Sequence, residues 1–226
     1  MKEKTKIILI LIIGIFFIGF GILAIYNAYF FSKNPSGVFW YCYISMIVIG
    51  ISALFRNAWV IAAQVNLLGI SLLMWNFDFF YHIVFGRSIF GLVNSFFNGG
   101  FSFGKVISME HLFLIPLSIL LIYLIKLKKD DFWKLSLVEI PMIFFITRAF
   151  TNPQKNINCV FESCFSFIGN YLFPLVWFTL AISIMVISTV IINNIEVFKN
   201  NNVYKNNLEE YKVKDKLSFA INEIIN

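Results

Sequence analysis

Both histidines and all three cysteines of this 226-residue chain stand beside residue types that suggest chemistry. His111 heads a long apolar run, EHLFLIPLSILLIYLI, where an imidazole can reach an interfacial carbonyl group and titrate near neutral pH. A histidine satisfied at the interface by Glu110 or by water fits the same run, so both readings stay open. Cys42 is either a small buried hydrophobe or, opposite a base at the same depth, a thiol nucleophile for acyl chemistry. Asp78 and His82 stand four apart and share a face if their helix extends that far, but two ligands do not make a metal site. Glu110 and His111 would have to converge on them, so no metal and no cofactor is assigned. Cys159 and Cys164, with four residues between them, suit a loop disulfide in an oxidising compartment better than zinc. Asn156 and Asn158 beside them carry amides of the kind that steady an oxyanion.

Three further polar residues, Gln64, Asn66 and Glu139, interrupt apolar runs. Polar groups inside a span are costly and mark function by default. Hydrogen bonding between helices accounts for Gln64 and Asn66. Glu139, beside Pro141, also suits a proton or ion relay.

The elements that must position these residues follow from composition. The chain is 59% hydrophobic and only 13% charged, with a mean hydropathy of +0.81, far from a soluble domain's roughly one-quarter charged residues. The net charge of +6 sits at the ends of apolar runs, which speaks for topology rather than nucleic acid. A spanning helix needs about 20 mostly apolar residues. Six such segments are expected, near 7–26, 38–55, 58–77, 106–125, 132–150 and 166–192. The reading is an all-α polytopic membrane protein, one six-helix bundle over 1–193 with a polar, lysine-rich tail over 194–226. The basic leader MKEKTK precedes an apolar run too long for a signal peptide, so the first segment is expected to remain as a helix. The piece over 87–105, rich in Gly, Asn and Ser, is expected to be re-entrant or interfacial.

Placing both termini in the cytoplasm puts thirteen of the eighteen Lys and Arg residues inside and five outside: Lys33, Arg87, Lys105, Arg148 and Lys155. The expected location is the cell membrane, crossed several times. In this orientation Cys42, Asp78, His82, Glu110, His111, Asn156, Asn158, Cys159 and Cys164 all gather at the outer side. Cys42 falls about 6 Å below the outer boundary at ~1.5 Å per residue.

Three motifs, CYISMIVIGISALFRN at 42–57, HLFLIPL at 111–117 and TNPQKNINCVF at 151–161, resemble those of an uncharacterised bacterial family of six-helix integral membrane proteins. That family is distantly similar to the androgen-induced transmembrane hydrolases, which cleave fatty-acid esters of hydroxy fatty acids, and to a related membrane acyltransferase. The resemblance covers roughly 38–165. It implies that His111, with Pro116 five residues on, corresponds to the histidine at the head of the fourth helix. It implies that Cys42, with Ser45 as the fallback, holds the nucleophile's place on the second helix. Asn158, Cys159 and Phe161 correspond to a short aromatic motif after the fifth.

Three functions are weighed. The first is a membrane-embedded hydrolase or acyltransferase taking a lipid ester or thioester from the outer leaflet. The second is a small solute or proton carrier using Glu139, Arg148 and the polar face of the third helix. The third is a non-catalytic subunit whose tail, with a weak apolar stripe at Leu217, Ile221, Ile224 and Ile225, docks a cytoplasmic protein. Membrane lipid is the expected surrounding in each case, and no nucleic acid partner is expected.

Overall fold

The computed structural model describes residues 2–31, 35–98, 100–164 and 172–199, and the regular elements among them are helices. The expected tail docking and Lys33 lie outside the described residues. Helix α1 (Glu3–Tyr26) widens into a π turn through Phe31, and a 3-10 turn (Pro35–Phe39) leads into α2 (Tyr41–Leu54). After α3 (Ala58–Phe85) come two short helices, α4 (Asn94–Phe97) and α5 (Phe103–Ser108). The chain then forms α6 (Glu110–Ile125), α7 (Trp133–Phe150) and α8 (Phe173–Asn194).

Four stretches are long and apolar enough to cross a membrane: Glu3–Phe31, Ala58–Phe85, Phe103–Ile125 and Phe173–Asn194. The other two expected segments are also helices, but neither combines length with apolarity. Helix α2 has 14 residues, about 21 Å at ~1.5 Å each, because Pro35–Phe39 winds as a 3-10 turn where the expected span began. Helix α7 has 18 residues but carries Lys134, Glu139 and Arg148. Helix α3 runs eight residues past its expected end at 77. It stops only at Gly86, whose left-handed backbone (φ +69°) lets its N–H bond the carbonyl of His82. Helix α8 opens at Phe173 rather than 166, and residues 165–171 lie outside the described residues. The outward surface is itself apolar. Ile15, Ile22, Val186, Ile187, Val190 and Ile191 are all exposed, the reverse of a helix that faces water.

Packing centres on α2, which buries Cys42, Ser45, Met46, Ile49, Gly50 and Ala53. Between apolar helices in lipid, close packing replaces hydrophobic expulsion, and small residues let backbones approach. Helices α1 and α2 use this device. A Cβ on Gly50 would lie 2.6 Å from the carbonyl oxygen of Gly14, and one on Gly21 would lie 3.0 Å from that of Tyr43. At the opposite end from Cys42, the α6–α7 connection is tied down. Leu127 N–H donates to the carbonyl of Phe198 (2.7 Å), and the Trp59 indole donates to the Asp131 carboxylate (2.8 Å).

Gly50→Ala should therefore push α1 and α2 apart and destabilise the protein by about 1–3 kcal/mol, the usual range for overpacking. Gly19→Ala, whose Cβ meets nothing within 4 Å, should not. Thermal unfolding of both variants in detergent checks this.

Candidate functional site at the Cys42 end of the bundle

Cys42 lies in the first turn of α2, and two contacts set its height. The glycine packing against α1 fixes the helix. At its start, the Asn158 carbonyl oxygen accepts the N–H of Tyr41 (2.9 Å), and the Asn158 amide donates to the carbonyl of Phe39 (2.8 Å) and the hydroxyl of Thr147 (3.0 Å). One asparagine thus joins the entry of α2 to the end of α7. The first N–H groups of a helix have no carbonyl four residues back. Here Asn158 takes that of Tyr41, and the Trp40 carbonyl takes those of Tyr43 and Ile44. Among the described residues no backbone carbonyl takes the N–H of Cys42.

His111 comes from the other side of the bundle, where a break at Met109 separates α5 from α6. Its Nδ1 lies 2.6 Å from the Ser108 carbonyl. A carbonyl only accepts, so Nδ1 carries the proton and Nε2 offers a lone pair. Helix α3 holds the ring in place. Trp75 stacks on it with centroids 4.6 Å apart, and the Asn76 amide donates to the His111 carbonyl (2.9 Å).

Glu110, the first residue of α6, completes the centre. A Cys42 Sγ, a Glu110 carboxylate oxygen and a His111 ring nitrogen all lie within 4.8 Å of one another, and Glu110 Oε1 is 3.9 Å from His111 Nε2. Glu110 is fully buried, and among the described residues the Cys42 thiol is the one donor its carboxylate meets. The thiol and the imidazole line a cavity of about 280 Å³, close to the lower end of small-molecule sites. Its walls are apolar, from Leu68 and Leu72 of α3, Ile143 of α7 and Leu180 and Ile184 of α8. Cys159 and Cys164, joined as a disulfide, form part of its rim with Asn158.

Other expected site residues have structural roles. Neither asparagine is free to steady an oxyanion. The Asn158 side chain is fully engaged as described. The Asn156 amide donates to the Glu162 carbonyl (2.8 Å), and its oxygen accepts the N–H groups of Phe161 and Glu162. Asp78 and His82 do share a helix, because α3 runs long, but they do not converge with Glu110 and His111. Buried Asp78 accepts the N–H groups of Ile89 (2.6 Å), Phe90 (3.0 Å) and Leu92 (2.9 Å), folding 86–92 back over the end of α3. His82 stacks on Phe97 of α4 at 3.9 Å.

Deeper in the bundle, the Gln64 carbonyl oxygen lies 2.8 Å from the Tyr41 hydroxyl and 2.7 Å from that of Ser45. The Gln64 amide donates to Glu139 (2.8 Å), and the Tyr41 hydroxyl lies 3.0 Å from the other Glu139 oxygen. Asn66 separately joins Ser136 of α7 and Thr189 of α8. Ser45, the fallback nucleophile, is thus committed to Gln64. The Tyr41 partner of Glu139 and the Asn76 clamp on His111 were both missed at sequence level, because neither residue type is unusual at a helix end.

Asp78→Ala should leave three N–H groups without their acceptor and destabilise the protein by about 2–4 kcal/mol. A drop in thermal midpoint, with faster hydrogen exchange at 89–92, checks this.

The chain matches no protein-family model, no curated protein and no solved structure.

Proposed function

We propose that this protein is a six-span cell-membrane enzyme, with both termini in the cytoplasm, that cleaves or transfers the acyl group of a lipid ester or thioester at its outer-leaflet end. The observation that carries the reading is the meeting of the Cys42 thiol and a His111 ring nitrogen on the wall of an apolar cavity. Nucleophile, base and an acyl-sized apolar chamber are the parts that covalent acyl chemistry needs. The disulfide beside the cavity supports an oxidising, outer side. The lysines at the opposite end support a cytoplasmic one.

In this reading the acyl chain enters from the lipid and lies between α3, α7 and α8. His111 Nε2 takes the thiol proton as Cys42 Sγ attacks the carbonyl carbon. The oxyanion faces the Cys42 N–H, in place of the asparagine amides expected from sequence. Collapse breaks the bond to the leaving oxygen or sulfur, which takes the proton from His111 and departs as alcohol or thiol. Water, or an acceptor hydroxyl, then attacks the thioester with His111 again as base, releasing acid or new ester and restoring the thiol. Glu139, held by Gln64 and Tyr41, supports the bundle rather than a relay.

Purified protein in lipid nanodiscs should be labelled by a long-chain acyl thioester probe. Cys42→Ala should abolish labelling, His111→Ala should lower it by about 100-fold or more, and Glu139→Gln should retain it. Unchanged labelling in the first two variants would rule the reading out. The orientation has its own test. After mild reduction of intact cells, a membrane-impermeant maleimide should label Cys159 and Cys164, and a tag at the C-terminus should resist external protease.

A further inference from the structure

Glu110 is the one member of the cluster to which the acyl mechanism above gives no role, and its state is unusual. A fully buried carboxylate whose one donor is a weakly donating thiol is costly unless a positive charge lies nearby. Among the described residues, no Lys or Arg pairs with it. The ion-pair contact the structure does give Glu110 is His111 Nε2 at 3.9 Å, on a ring whose other nitrogen already donates to Ser108. A proton on Glu110 would remove the charge, yet it would not account for a thiol, a carboxylate and an imidazole facing one point. A dication would.

We propose that Cys42 Sγ, a Glu110 carboxylate oxygen and His111 Nε2 bind a zinc ion, with the fourth coordination position open to the cavity. The donor set fits the metal. Zinc takes thiolate sulfur at about 2.3 Å and imidazole nitrogen or carboxylate oxygen at about 2.0–2.2 Å in tetrahedral geometry, which sets ligand atoms roughly 3.3–3.8 Å apart. The three atoms already lie within 4.8 Å, one pair at 3.9 Å, so closure needs side-chain shifts of about 1 Å or less. The second shell fits as well. A metal-bound histidine commonly donates its other N–H to a backbone carbonyl, as His111 Nδ1 does to Ser108, and the Trp75 stack limits its rotation. Charge fits too. One thiolate and one carboxylate neutralise the dication, giving a site of no net charge in apolar surroundings. Neighbouring carboxylates do not compete, because Asp78 is taken by loop N–H groups and Glu139 by Gln64 and Tyr41.

Binding exchanges the thiol proton for the metal: the S–H bond breaks, the proton leaves to solvent, and a Zn–S bond forms without oxidation or reduction. Zinc occupies the Nε2 lone pair that acyl transfer needs as its base and draws electron density from the thiolate, so metal loading and acyl transfer at Cys42 compete. Zinc is then an inhibitor of the reaction proposed above, and the metal-free protein is its active form. Metal binding does not itself require acyl transfer, and the two are measured separately.

The test uses full-length protein, freed of any affinity tag, in nanodiscs. Equilibrium dialysis against zinc should give one tightly bound ion per chain. Cys42→Ser, Glu110→Gln and His111→Ala should each weaken binding by about 10-fold or more. Cobalt loading should produce a thiolate charge-transfer band that Cys42→Ser removes. Circular dichroism confirms that each variant remains helical, and the cobalt band on unmutated protein reads the site even if one variant fails to fold. One zinc per chain and a cobalt–thiolate band in a protein that no acyl probe labels would uphold the metal site and remove the acyl reading. Probe labelling indifferent to zinc, with no cobalt–thiolate band, would overturn the metal site and leave the acyl reading standing. Zinc retained equally by all three variants marks binding elsewhere and also overturns it.

Discussion

Polar side chains between these helices have little water to turn to, so each must be met by another side chain or by the backbone. That constraint organises the bundle. Gln64 accepts from α2 hydroxyls and donates to Glu139 of α7, while Asn66 joins Ser136 and Thr189. Helices α2, α3, α7 and α8 therefore share two polar nodes. An unmet buried polar group costs several times what a made hydrogen bond contributes, so these nodes act mainly against misplaced packing. A rotation of any one helix would strand its partner groups in an apolar medium. Glu110 stands out against this background because, among the described buried carboxylates, it is the one met by a thiol instead of an N–H or hydroxyl donor.

The cluster is assembled by two independent supports that meet at its centre. Cys42 inherits its position from the glycine contact of α1 with α2 and from the Asn158 clamp at the helix entry. His111 inherits its position from the α5–α6 break, the Trp75 stack and the Asn76 amide. Reactive groups carried on packed helices, with their rotamers held by neighbours, keep their geometry better than groups on loops. The Cys159–Cys164 loop contributes the rim of the cavity and does not carry the reacting atoms.

The cavity ties the two sides of the site together. Cys42, Ser71, His111 and Asn158 are among its polar lining, while Leu180 and Ile184 of α8 add to an otherwise apolar wall. A molecule with a long apolar chain and one reactive polar group matches that distribution, since the chain loses nothing on leaving lipid for an apolar wall. On the acyl reading proposed above, selectivity would rest on the few polar contacts beside the thiol and the imidazole.

Much of this was legible in the sequence, and what was not shares one cause. Helical class and apolar stretches long enough to cross a membrane follow from hydropathy, which adds up along the chain whatever the packing; of the six spans expected, four are met by length and composition. Even the pairing of Cys42 with His111 was within reach, because depth along a helix is a matter of counting at a fixed rise. Hydrogen-bond partners were not. Asn158 and Asn156 have donors suited to an oxyanion, yet Phe39, Thr147 and Glu162 take them; Asp78 looks like a ligand, yet a loop eleven to fourteen residues on claims it. Glu110 entered as a neighbour of His111 and as a ligand that would have to converge with Asp78 and His82, and its burial against Cys42 depends on how α6 is turned. Rotation about a helix axis is set by contacts with residues far away in the chain, and a pattern apolar on every face records no preferred side. Counting therefore places a residue at its height, and packing alone chooses which neighbour it faces.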